Sequence, residues 1–201
     1  MRKILVWDWP VRIGHALMAG GFIIAWLTQE SERLSLIHAM AGSAVLATAV
    51  LRLAWGVIGS PTARFSAFVR GPRAVGAYLL SLLQPAPQHY TGHNPAGGWA
   101  ILLLLGLGIL TAASGWAVYN DVGGHSLEEL HEGLASTMLS VVVIHVGGVI
   151  LSSWLHRENL LAAMVHGRKL GAPEEEIPSA HRLAGLLLLV LACLASVWLS
   201  R

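Results

Sequence analysis

The sequence predicts an all-α integral membrane protein, and three observations carry that expectation: charged residues are scarce, apolar residues gather in five long runs, and basic residues favour one side of those runs. Charged residues are 12% and apolar residues 55% of the 201, against about a quarter charged in ordinary soluble domains. A net charge of +2 with scattered basic residues argues against nucleic acid as a partner and leaves the lipid bilayer as the expected surroundings.

The five apolar runs span about 11–27, 36–58, 99–118, 130–155 and 183–199, each near the roughly 20 residues that a helix needs to cross about 30 Å of hydrocarbon. Met-Arg-Lys before the first run is weakly signal-like, but no small-x-small cleavage site follows, so this run is expected to be a retained helix. Residues 59–98 hold Pro61, Pro72, Pro85, Pro87 and Pro95 among Arg and Gly and predict a long extramembrane loop, with room for a short surface helix from Arg73 to Leu83. Residues 167–179, with Glu174, Glu175, Glu176 and two prolines, predict a polar linker before the last helix.

Cytoplasmic flanks of membrane helices carry an excess of Lys and Arg. With the amino terminus inside, Arg2, Lys3, Arg12, Arg52, Arg64, Arg70, Arg73, Arg157, Arg168, Lys169 and Arg182 fall on or near the cytoplasmic side, leaving Arg33 and Arg201 outside. The expected topology is therefore multi-pass, with a cytoplasmic amino terminus.

Ten histidines in such a chain need a reason, because ionisable groups at membrane depth are costly and usually functional. His89, His93, His125, His156, His166 and His181 fall in loops or flanks, where a solvated histidine is the ordinary expectation. His15, His38, His131 and His145 fall within helices. The 14 residues from His131 to His145 correspond to roughly 21 Å along a helix axis and return to within about 40° of the same face. One helix thus offers two ligands, one above the other. Alternating helix directions bring His15 level with His145 near the inner leaflet and His38 level with His131 near the outer leaflet.

Two bis-histidine haem sites follow as the expectation. Neutral imidazole suits haem iron, and two of them leave no open position for oxygen, which favours electron transfer. The single cysteine, Cys193, excludes CxxCH attachment, so any haem must be held by side chains. Gly14, Gly20, Gly21, Gly42, Gly133, Gly147 and Gly148 would let a flat macrocycle approach the backbone, or else serve small-residue helix packing. Arg12 and Arg52 are shaped to pair with haem propionates, or simply mark the inner interface.

Several motifs also carry a resemblance. These are Val-Arg-Ile-Gly-His ending at His15, His-Ala-Met-Ala-Gly from His38 with Arg-Leu-Ala-Trp-Gly ending at Gly56, and Gly-His-Asn-Pro-Ala-Gly-Gly ending at Gly98. They continue with His131-Glu132, His145, Glu158-Asn159 and Met164-Val165-His166-Gly167. Together they resemble the bacterial cytochrome b561 family, related to the b-type cytochrome subunit of nickel-iron hydrogenases. The resemblance covers residues 1–170. It implies a four-helix transmembrane bundle binding two haems b at His15, His38, His131 and His145, in the bacterial cytoplasmic membrane, exchanging electrons with membrane quinone. Residues 171–201 add a linker and a fifth, C-terminal transmembrane helix, a departure from the smallest members.

The expected function is electron transfer across the membrane between the quinone pool and a periplasmic partner, such as a cytochrome c or a dehydrogenase or hydrogenase subunit. Rival readings are a superoxide-oxidising quinone reductase, a haem-bearing anchor subunit of a hydrogenase or dehydrogenase, and a metal or proton transporter. His125, Glu128, Glu129, His131 and Glu132 cluster near one helix end, but no HExxH zinc motif is present. The eight tryptophans are expected as an interfacial belt, and Cys193 as a buried apolar filler.

Overall fold

A computed structural model of the chain describes residues 2–201. In chain order the elements are strand β1 (Arg2–Leu5), helices α1 (Trp9–Thr28), α2 (Ser35–Ile58), α3 (Phe65–Phe68), α4 (Pro72–Ser81), α5 (Pro95–Tyr119), α6 (Gly124–Leu155) and α7 (Leu160–His166), strand β2 (Arg168–Gly171) and helix α8 (Arg182–Leu199). Five of the helices, α1, α2, α5, α6 and α8, are long and apolar enough to span a bilayer. They alternate in direction, so the bundle has a proximal end, bearing the amino terminus, and a distal end.

Helix starts follow local chemistry. The Asp8 carboxylate accepts from the Val11 amide at 2.9 Å, with Pro10 in the first turn of α1. Asn94 accepts from the Gly97 amide at 2.7 Å with Pro95 beside it, so the Asn-Pro pair begins α5 four residues before the apolar run does. Asn159 caps α7 in the same way, and Gly167, at φ +80°, ends it in the left-handed conformation that glycine adopts freely. Parts of the motifs noted above are thus helix punctuation.

The spans pack unequally. Helices α1 and α2 lie close together, and a side chain at Gly21 would meet Val45 at 2.8 Å and the Ala41 carbonyl at 3.2 Å. Helix α8 lies along both, and α5 packs on α2 and on α6. Among the long helices, α6 packs extensively only on α5. Of its 32 residues only Met138 and Ser152 are buried. Met138, midway between His131 and His145, reaches the space over Gly108 that Val45 of α2 also fills. Elsewhere α6 makes no extensive contact with α1 or α2.

The proximal end carries a small cap. Strands β1 and β2 pair antiparallel, with Arg2 opposite Gly171 and Leu5 opposite Arg168. Ile4, Val6, Trp7, Val11 and Ala63 form a buried cluster flanked by Trp55 and Met164. Asp8 is fully buried, and its second oxygen accepts from the Trp55 indole at 2.9 Å. Four-residue strands are too short to leave a periodicity in a sequence dominated by helices.

Three expectations need correction. Trp7 and Trp55 belong to the cap, because their rings find apolar neighbours and, for Trp55, a buried carboxylate acceptor, whereas Trp99, Trp116, Trp154 and Trp198 are exposed as belt residues would be. Cys193 is exposed on α8, on an apolar surface of the kind that lipid covers. His93 is not a solvated loop residue. It packs between Trp7 and Phe68, with ring centroids at 4.4 Å and 4.8 Å.

Candidate functional site

At the distal end α2 and α6 bring His38 and His131 together, with ring centroids 6.1 Å apart and planes crossing at 79°. Nδ1 of His38 lies 2.9 Å from the Ala25 carbonyl, and Nδ1 of His131 lies 2.9 Å from the Thr111 carbonyl. A ring nitrogen facing a carbonyl oxygen must carry the proton, which leaves Nε2 of each ring as a bare electron pair. Imidazole nitrogens sit about 2 Å from a bound metal ion and about 1 Å from their own ring centre, so two on opposite sides of one ion place their centroids about 6 Å apart. The observed separation fits that arrangement.

Space at this pair is made by small residues. A side chain at Gly115 of α5 would come within 2.7 Å of the His131 ring, so the ring occupies room that only glycine leaves. At Gly42, one turn after His38, an added side chain would meet nothing. Ala39, Gly42, Ser43, Gly115, Trp116 and Leu199 line a partly open hollow against the two histidines. Gly133, Gly147, Gly148 and Gly20 likewise face open space, whereas Gly14 and Gly21 pack against neighbouring helices.

The proximal pair is looser. His15 on α1 is exposed and His145 on α6 is half-buried, and they lie within electrostatic range of each other. Two guanidiniums stand nearby with unused N–H groups. Arg52 is buried, donates from Nη2 to the Ala63 carbonyl at 3.0 Å and lies over the Phe65 ring, but its Nη1 has no partner. Arg12 donates to the Val165 carbonyl and keeps a buried Nε without a partner. Buried, unpaired charged donors are costly, and the acidic groups of a haem edge would satisfy them. At the distal end the donor set and its spacing fit a haem.

His93 completes the proximal end. Burial first, and then the charges of Arg52, Lys169, His145 and His15, push its imidazole down to about 3. It retains some accessible surface, yet protein surrounds it deeply enough to keep it neutral. Beside it Lys169 is buried, pairs with Glu158 at 3.2 Å and donates to the Tyr90 carbonyl. His125 is exposed and pairs with Glu128 and Glu129. Among the described residues no group of three or more His, Cys, Asp or Glu side chains is arranged to hold a metal ion.

The structure therefore apposes His38 with His131, puts His15 and His145 within electrostatic range of each other, and leaves Arg12 and Arg52 with unpaired buried N–H groups. Sequence reading missed Gly115, Trp116, Leu199 and His93, whose roles depend on which helices face each other. The one signal for His93 was its place in the Gly-His-Asn-Pro run.

The family model for prokaryotic cytochrome b561 matches residues 6–167. A relative from Rhizobium leguminosarum bv. viciae, described as a probable Ni/Fe-hydrogenase B-type cytochrome subunit, is 23% identical over 223 aligned residues, covering 87% of this chain and 92% of that one. No solved structure matches the chain significantly. With five apolar spans, paired imidazoles and this match, the chain belongs to the prokaryotic cytochrome b561 family, as a membrane b-type cytochrome of electron transfer.

Proposed function

We propose that the protein carries electrons across the bacterial cytoplasmic membrane between the quinone pool and a redox partner on the periplasmic side, using two haems b. In this reading residues 1–170 are the dihaem domain, residues 171–201 add the linker and fifth helix, and the proximal end faces the cytoplasm. The observation that carries it is the His38–His131 apposition, with both Nδ1 atoms committed to carbonyls, on a helix that bears His145 on nearly the same face. Bound haem b supplies one-electron chemistry by alternating between ferric and ferrous iron. The Ala25 and Thr111 carbonyls fix the tautomer and aim of the distal ligands, while Arg12 and Arg52 offer positive charge to the propionates of the proximal haem. Two imidazoles per iron exclude small oxygen species from the metal.

Membership in a larger complex is the second reading, in which the chain is the haem-bearing anchor of a hydrogenase or dehydrogenase. The name of the Rhizobium relative favours it. A superoxide-oxidising role and a transport role have no comparable observation behind them.

Haem extraction and ligand substitution test the proposal together. Two haems per chain are expected, released by acidic acetone. His15→Ala and His145→Ala should remove the same spectral component, and His38→Ala and His131→Ala the other. Arg12→Ala should lower the midpoint potential of the first component. One haem per chain would defeat the reading, as would a single component lost in both His15→Ala and His38→Ala.

A further inference from the structure

Helix α8 lies outside residues 6–167, the part of the chain matched by the family model. It nonetheless enters the distal hollow. Its buried face, Gly185, Leu188, Ala192 and Ser196, recurs every three or four residues and lies along α1 and α2. Two side-chain hydrogen bonds fix its far half. Ser196 Oγ donates to the Met40 carbonyl at 2.8 Å, two residues after His38, and Trp116 Nε1 donates to the Leu199 carbonyl at 3.0 Å, from the position after Gly115. The last four carbonyls of a helix have no partner within it, and at the edge of a bilayer that vacancy is costly. Trp116 fills it for Leu199 from a different helix. Both anchors therefore sit within two residues of a histidine ligand or of the glycine that makes room for one. Leu199 itself lines the hollow beside His38 and His131, together with residues from α2, α5 and α6.

We propose that α8 is a wall of the distal cofactor pocket, that Trp116 and Ser196 are the positioning residues that hold it there, and that its role is to keep water from the distal haem. The inference rests on the reading that His38 and His131 hold a haem. Water stabilises the more positive ferric state, so a wall that excludes it holds the potential up. Helix α8 packs on α1 and α2 and makes no extensive contact with α6, which bears His145.

The experiment is a redox titration of purified, haem-loaded protein, followed by visible spectroscopy, for Trp116→Phe, Ser196→Ala and the double variant. The distal component is first identified as the one missing in both His38→Ala and His131→Ala. Its midpoint is expected to fall in each single variant and further in the double, with the proximal midpoint unmoved. Its reduction by ascorbate, a hydrophilic reductant, should speed up several-fold. If the double variant lost the distal haem outright, Trp116→Phe alone would decide. An unchanged distal midpoint, or equal shifts in both components, would overturn the inference while leaving the dihaem reading intact. Absence of any component dependent on His38 and His131 in the parent protein would overturn that reading instead.

Discussion

Gly115 sets the position of His131, a ligand candidate on another helix. A methyl group there would meet Cε1 of His131 at 2.7 Å and Nδ1 at 3.0 Å. That ring cannot swing aside freely, because its Nδ1 is held by the Thr111 carbonyl. Gly115→Ala should therefore cost about 1–3 kcal/mol by overpacking and displace His131 from its partner. The expected result is a haem-to-protein ratio that drops from two toward one, read by pyridine haemochrome assay, with the component dependent on His15 retained. Gly42→Ala, where the new methyl group meets nothing in the protein, separates steric contact with a ligand from room for the macrocycle. The four ligand candidates could be read from the sequence because a 14-residue interval on one helix is a geometric statement by itself. Gly115 could not, since a glycine's neighbour across an interface depends on how two helices rotate against each other, and periodicity carries no such information.

At the scale of elements, the start of α1 depends on one buried carboxylate with two duties. Asp8 caps the helix through the Val11 amide and receives the Trp55 indole N–H from α2. Asp8→Ala should cost about 1 kcal/mol for the cap and about 1–3 kcal/mol more for the stranded indole donor. The expected outcome is a lower thermal midpoint in detergent. Asp8→Asn keeps one oxygen for the cap but turns its amide NH2 toward the Trp55 indole N–H, so it should recover only the cap's share of the loss. The extents of the five spans were legible because uninterrupted apolar runs leave little choice. Their ends were less so. Helix α5 starts at Pro95 instead of near 99, and α6 at Gly124 instead of near 130, because an Asn-Pro cap and the turn at Gly123 and Gly124, with φ of +87° and +60°, act on residues outside the apolar runs. The pairing of β1 with β2 left no trace in either segment alone.

Taken whole, the molecule divides into a tightly packed group, α1, α2 and α8, and a second pair, α5 and α6, joined mainly where α5 meets α2. Helix α6 bears two of the four ligand candidates and packs extensively on no helix of the first group. Cofactors bridging His38 to His131 and His15 to His145 would then supply much of the adhesion between the two groups. Protein produced under haem limitation should be cleaved faster in the turn between Tyr119 and Gly124 than the loaded protein, as limited proteolysis with mass spectrometry would detect. Equal cleavage in both states would mean that α5 alone holds α6 in place. The overall bundle was legible from hydropathy and charge, but its uneven packing was not, since lipid-facing and cofactor-facing apolar residues look alike in a sequence.

The strand pair at the proximal end also imposes an order on biosynthesis. Arg2 to Leu5 leave the ribosome long before their partners, Arg168 to Gly171, which are made only after the first four spans. At about 5–20 residues per second the leading strand waits roughly 10–30 s for its mate. Four spans must already have threaded into the bilayer by then. The small sheet is thus a clasp that can close only once residue 171 has been made, and a chain halted before residue 168 would leave Arg2 to Leu5 unpaired, a difference that a surveillance protease could read.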